Sequence, residues 1–262
     1  MITISELFIY PIKSCAGTAV ESFELDRFGP THDRRWMLVD EQGLLITQRE
    51  VARMALIKPA LTESGLRITY HDQLIDVDTP VSGEPKAVQV WADRVQAYDA
   101  GRAASDFFSR VLERTASLVW MPETTERQVK HSSASAAETV GFADAFPLLL
   151  ISQASLDDLN SRLDQPVPMN RFRPNIVVQG CDAFAEDSWS KLTSENSVLN
   201  VVEPCSRCVM PSINQATAEK NSAILRVLAS YRRGEDGKTY FGQNLLYQGS
   251  ARLSVGQVFT PQ

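Results

Sequence analysis

The chain has 262 residues, 44% hydrophobic and 22% charged, with a formal net charge of −6. That length holds one large or two small domains with buried cores, and the acidic balance disfavours nonspecific binding to nucleic acid or to an anionic membrane. The longest apolar run, 146–151, falls far short of the roughly 20 residues that span a bilayer, and no basic segment precedes an apolar one at the N-terminus. The expected location is therefore cytoplasmic, where the four cysteines stay reduced unless they are catalytic.

The first hundred residues read mainly as strands. Residues 3–10 alternate in part. Residues 35–40 and 44–48 predict a hairpin with Gly43 in its turn. Residues 66–70 and 74–78 flank His71, Asp72 and Gln73 as a second hairpin, and 88–92 with 95–99 make a third pair around Asp93 and Arg94. Period-2 runs closed by short turns point to antiparallel sheet or a small barrel. A helix follows over 101–114, with Phe107, Phe108, Val111 and Leu112 on its apolar face. Residues 122–140 are polar, rich in small side chains and weakly periodic, which predicts a long loop, a boundary or a lid.

Beyond the loop, Pro147–Ile151 reads as a buried strand leading into a helix, with Ser155 and Asp158 as its capping box. Strands are expected at 175–179 and 198–203, a helix at 222–231, and strand-like pieces at 238–241, 244–248 and 251–259. The predicted class is mostly β with a few helices (α+β), in two β-rich units, 1–120 and 121–262.

The chemistry-bearing stretch is Cys205-Ser206-Arg207-Cys208. A redox disulfide of this spacing belongs at a helix start, but Pro211 follows closely and no helical period appears until about residue 217. A four-thiolate zinc site needs a second close pair, and Cys15, Cys181, His32, His71 and His131 do not form one. Two readings stay open: small residues packed at a strand end, or a thiolate used singly, favoured as an anion by the nearby Arg207 charge and suited to a soft metal.

Three basic elements abut predicted strand ends: Lys13 with Ser14, Arg34 with Arg35, and Arg171 with Arg173 and Asn175. Singly, each is an ordinary solvated loop cation. Together they are a way to assemble an anion pocket, with Arg forks on phosphate oxygens and backbone donors near Gly17.

These residues carry a family resemblance. Lys-Ser-Cys-Ala-Gly (13–17), Asp-Arg-Arg-Trp-Met-Leu-Val (33–39), Thr-Gln-Arg (47–49), the nearly word-for-word stretch 155–189, Pro-Cys-Ser-Arg-Cys (204–208) and Phe-Gly-Gln (241–243) occur in the order and near the spacings of MOSC-domain proteins. The chain resembles above all their amidoxime-reducing branch, over residues 3–259. The resemblance implies a MOSC-type β-barrel with a β-rich N-terminal domain, and the molybdenum cofactor, a phosphate-bearing pyranopterin with a dithiolene. It implies Cys208 as the protein ligand to molybdenum, and Lys13, Ser14, Arg34, Arg173 and Asn175 as cofactor contacts; the family's description adds pyridoxal phosphate binding. There are departures. Asp144-Ala145-Phe146-Pro147 offers no hydroxyl where relatives place two, and 211–215 differ after the cysteine motif. The membrane anchor and the iron–sulfur domain of some relatives are not expected here.

The resulting expectation is an oxidoreductase that reduces N-hydroxylated compounds (amidoximes, hydroxylamines, N-hydroxylated bases). A separate reductase or small redox carrier would supply electrons through transient contacts, with neither nucleic acid nor membrane as a partner. Asp182, with Glu186 and Asp187 nearby, is the candidate proton donor, a solvated acidic turn being the ordinary alternative. Rival readings are a sulfur or cofactor carrier using Cys208 without turnover, and a metal-free thiol oxidoreductase.

Overall fold

The computed structural model describes residues 1–135, 138–249 and 251–262. Its first half holds β1 (Ile2–Ile9), β2 (Thr18–Val20), β3 (Ser22–Asp26), β4 (Gly29–Pro30), β5 (Trp36–Val39), β6 (Lys58–Leu61), β7 (Gly65–Tyr70), β8 (Gln73–Asp78), β9 (Lys86–Val90), β10 (Asp93–Asp99), helix α1 (Arg102–Leu112) and β11 (Ser117–Trp120). The second half holds β12 (Leu148–Ser152), α2 (Gln153–Ser161), β13 (Ile176–Gln179), β14 (Lys191–Thr193), β15 (Val198–Ser206), α3 (Ala223–Tyr231), β16 (Tyr240–Tyr247), β17 (Arg252–Ser254) and β18 (Val258–Pro261).

The partial alternation of β1 has a physical cause. Its buried residues are Ile2 and Ile4, then Leu7 and Ile9, so the apolar phase changes from even to odd across Ser5-Glu6. A β-bulge between Ile4 and Glu6 absorbs the change, and all four side chains enter one core. Seven strands close around that core in the order β13-β12-β16-β15-β14-β18-β1, with β1 returning to β13. Neighbours are antiparallel except β12 and β13, which run parallel and are joined through α2. Leu150, Ile176, Leu245 and Phe259 complete the filling. The fold is the mostly-β barrel expected.

The other unit is a four-stranded sheet, β5-β11-β10-β9, beside the three-stranded β6-β7-β8. Phe107, Phe108, Val111 and Leu112 of α1 pack with Trp36, Leu38 and Leu118 on one sheet and Leu66, Ile68 and Val77 on the other. The β7–β8 hairpin forms as expected. The hairpin around Gly43 (φ +77°) forms as a short ladder, with an antiparallel Val39–Leu45 bridge, the Asp40 N–H donating to the Leu44 carbonyl (2.9 Å) and the Ile46 N–H to the Leu38 carbonyl (2.8 Å), while the other edge of β5 pairs with the distant β11.

Two other expectations shift. The helix after β12 is capped by Ser152, whose Oγ accepts from the Ser155 N–H at 3.1 Å. Ser155 lies one turn inside and turns its hydroxyl to Glu186 at 2.7 Å. The pieces at 238–241 and 244–248 are one strand, β16, bent at Gly242 (φ +81°), where a Cβ would come 2.6 Å from Ile151 Cγ1. The 122–140 stretch is anchored by buried Arg127, which donates to the carbonyls of Gly141 (2.7 Å) and Ala143 (2.6 Å) and to Asp93 (2.8 Å). Ala136 and Ala137 within it lie outside the described residues. No helix among the described residues is long and apolar enough to cross a membrane.

Candidate active site

A cavity of about 570 Å³ opens where the chain after β1, the turn before β5, the β9–β10 turn and the end of β15 meet. Its wall includes Lys13, Ser14, Arg34, Arg173, Asn175 and Cys208, so the structure brings together all six residues expected to hold a cofactor.

Local backbone explains how three of them reach inward. Ser14, Arg34 and Arg173 have φ of +67°, +46° and +58°, the left-handed region that non-glycine residues seldom occupy. Such conformations persist only where surrounding contacts over-determine them. Here the fixed point is Tyr10, 1% exposed, whose hydroxyl donates to the Pro174 carbonyl at 3.0 Å. The guanidiniums of Arg34 and Arg173 stand 4.4 and 4.3 Å from its ring centre. Gly17 is required by the same ring rather than by a left-handed turn: a Cβ there would lie 2.4 Å from Tyr10 Cε1.

Arg34 donates to Asp33 (2.6 Å), to Asn175 Oδ1 (3.1 Å) and to the Arg173 carbonyl (3.3 Å), and Arg173 donates to the Cys15 carbonyl (2.7 Å). Asn175 is committed in turn, its Nδ2 to the Phe8 carbonyl at 3.2 Å and its Oδ1 also to the Leu149 N–H at 3.3 Å, so it acts by positioning Arg34. Burial pushes Arg173 down to about 10, and the Arg34 charge works in the same direction. Burial pushes the Tyr10 phenol up to about 12. A buried anion would relieve this crowding of cations.

Lys13, 5% exposed, pairs with Asp144 and faces the Trp91 ring at 5.5 Å. Burial drives its amine down to about 8 although Asp144 pulls the other way. Burial raises the Asp144 carboxyl, but Lys13, Arg49 and the Trp91 N–H outweigh it and hold the group below the usual carboxylate range.

The cysteine motif ends β15, where two bulges, one between Pro204 and Ser206, break the ladder and turn Glu203, Cys205, Arg207 and Cys208 toward the cavity. No cysteine is in a disulfide. Arg207 serves Cys205, not Cys208: its Nη1 donates to Cys205 Sγ at 3.1 Å and its Nη2 to the Phe172 carbonyl at 2.8 Å. Burial raises the Cys205 thiol while Arg207 opposes it. Among the described residues no three or more His, Cys, Asp or Glu side chains are grouped to hold a metal ion by themselves.

Asp182 is exposed and does not line the cavity. Its neighbours have structural partners. Glu186 is buried and accepts from the Ser152 N–H and Ser155 hydroxyl, while Asp187 holds Arg232 (2.5 Å) and Gln243 (2.7 Å). Sequence reasoning missed Asp144, Arg49, Trp91 and Thr47 as lining residues. The available signal was Thr47-Gln48-Arg49, quoted only as part of a family pattern. Two buried atoms of lining residues, Thr47 Oγ1 and Arg207 Nε, have no hydrogen-bond partner among the described residues. Together with the cations and the Cys208 thiol, they fit a ligand that brings both acceptors and a metal needing a sulfur donor.

Residues 1–115 match the MOSC N-terminal beta barrel domain and residues 137–260 the MOSC domain. The chain is 32% identical over 275 residues to "Mitochondrial amidoxime-reducing component 1" of Homo sapiens, covering 97% of this chain and 81% of that protein. It belongs to the MOSC-domain family. The MOSC chain is also 33% identical over 243 residues to "Mitochondrial amidoxime reducing component 2" of Bos taurus, covering 88% of this chain and 72% of that one. It is 29% identical to "Molybdenum cofactor sulfurase" of Bos taurus, covering 98% of this chain and 32% of that larger protein. These relatives make it a MOSC protein connected with the molybdenum cofactor, and those named for amidoxime reduction point to an oxidoreductase.

Proposed function

We propose that this MOSC protein holds the molybdenum cofactor in the cavity and reduces N-hydroxylated compounds with electrons from a separate redox protein. The observation that supports this most is the convergence of Lys13, Arg34, Arg173 and the Cys208 thiol on one cavity. Arg34 and Arg173 would take the phosphate, their forks pre-set by Tyr10. Lys13 and Ser14 would add donors beside them. Cys208 would give its thiolate to the metal, while Cys205, tied to Arg207, stays out of the ligand set. When bound, the cofactor supplies the two electrons that break the N–O bond; the balance is R–NH–OH + 2e⁻ + 2H⁺ → R–NH₂ + H₂O. The protein's part is to orient the N–OH group and to keep bulk water from the buried cation floor.

The test is reduction of benzamidoxime by the molybdenum-loaded protein with an artificial electron donor. Turnover in proportion to molybdenum content is expected. The similarity to a cofactor sulfurase motivates a second reading, a carrier that binds cofactor or sulfur without turnover. A loaded protein that fails to reduce benzamidoxime would favour the carrier and overturn the reductase.

A further inference from the structure

At the rim of the cavity, Arg49 stacks on Trp91 and reaches Asp144. Its Cζ lies 4.4 Å from the indole centre and its Nη2 3.2 Å from Asp144 Oδ2, while Trp91 Nε1–H donates to Asp144 Oδ1 at 3.1 Å. The ring and the carboxylate are thus locked to one another and together hold a planar CN₃ group. Among the described residues the guanidinium makes no further hydrogen bond, and a third of the side chain (31%) is exposed, so it is free to leave. Trp91 and Asp144 are not. Trp91 occupies the two-residue β9–β10 turn with φ +55°, where a tight hairpin favours glycine, and Gln89 Nε2 holds its carbonyl at 2.9 Å. Trp91 and Asp144 are both partly exposed, whereas Lys13, Arg173 and Asn175 are buried. The rim pair therefore faces the side from which a substrate enters, above the cation floor.

We infer that Trp91 and Asp144 form a cradle for the planar N–C–N group of an amidoxime or N-hydroxyguanidine, and that Arg49 occupies this cradle as an internal stand-in. The inference rests on the reductase reading and narrows its substrate class. An amidoxime is planar and conjugated, as a guanidinium is; it can lie on the indole face and direct its amino N–H to the carboxylate, as Arg49 directs Nη2. A simple alkyl hydroxylamine has neither the plane nor the carbon-bound amino group.

The stand-in gives opposite signs for two neighbouring substitutions. Binding of benzamidoxime, neutral near pH 7, is measured by calorimetry on the molybdenum-loaded protein without an electron donor, with metal content per chain matched between variants. Arg49→Ala empties the cradle and is expected to tighten binding about threefold or more, while Trp91→Ala weakens it about tenfold and Trp91→Phe keeps most of it. In turnover with an artificial donor, KM for benzamidoxime should follow the same order, and KM for N-methylhydroxylamine should stay within about twofold of the unsubstituted protein in all three. Equal weakening by Arg49→Ala and Trp91→Ala, or no change in either, overturns the cradle. A loaded protein that binds benzamidoxime in the expected order yet turns nothing over overturns the reductase reading and leaves the cradle standing.

Discussion

Tyr10 is where packing and site geometry depend on the same ring, and two substitutions separate its contributions. Tyr10→Phe removes the hydroxyl that donates to the Pro174 carbonyl at 3.0 Å and leaves that acceptor buried. The expected cost is about 1 kcal/mol. Tyr10→Leu also removes the ring between the guanidiniums of Arg34 and Arg173, at 4.4 and 4.3 Å. Two desolvated cation–π contacts at ~1 kcal/mol or more each bring the total to about 3 kcal/mol. For a chain of this size that corresponds to a fall in Tm of ~2–4 °C for the Phe variant and ~10 °C for the Leu variant. Thermal melting with urea titration of the same samples reads both. The Leu variant should also retain less molybdenum per chain, because its two arginines lose their common support. Equal destabilisation by Phe and Leu would show that the guanidiniums gain nothing from the ring. The account of how the left-handed backbone at Arg34 and Arg173 is held would then fail.

Three other outcomes are expected. Cys208→Ala should lose bound molybdenum while Cys205→Ala keeps most of it, read by metal analysis of protein from a cofactor-competent host; equal loss in both would contradict the single-ligand assignment. Lys13 is buried with its amine lowered from 10.5 to about 8, so the folded state binds fewer protons than the unfolded state between those values. Its burial therefore costs stability at neutral pH, and that cost is relieved as pH rises from about 8 toward 10.5. Lys13→Met should accordingly exceed the unsubstituted protein in stability at pH 7, with the gap shrinking over that window in urea titrations; a gap that widens there would reverse the sign. Asp182→Asn should change benzamidoxime turnover by less than about twofold, since Asp182 is exposed and away from the cavity wall; a large fall in kcat would restore it as a proton donor.

What could be read from the sequence was what is local. The apolar stripe of α1, the β7–β8 hairpin and the polarity of 122–140 each depend on neighbours within a few residues, and they fold as their patterns imply. The pairing of β5 with β11 depends on a partner some 80 residues away, and no local pattern announces it beside the short Gly43 hairpin on the other edge of β5. The same distinction holds for the site. Lys13, Arg34, Arg173 and Cys208 stand out as cations at predicted strand ends and as a lone thiolate, and family motifs single out the same residues, but their convergence on one cavity comes from the fold. In the sequence Asp144 shows only as part of a segment that lacks a hydroxyl. Its meaning comes from Lys13, Arg49 and Trp91, which lie in three distant segments. From the sequence Arg207 neighbours both cysteines alike; the bulges of β15 settle which sulfur it serves.

The bulged first strand also bears on where this protein can be cut. Residues 2–9 precede everything matched to the MOSC domain at 137–260, yet they form the stave that joins β18 to β13 and closes the ring. A fragment beginning at residue 137 would be a six-stranded open sheet with β13 and β18 as bare edges, and its core would lose Ile2, Ile4, Leu7 and Ile9. Unpaired edges of that kind recruit other strands, so such a fragment should self-associate, and supplying residues 1–20 as a separate peptide should return it to a monomeric barrel.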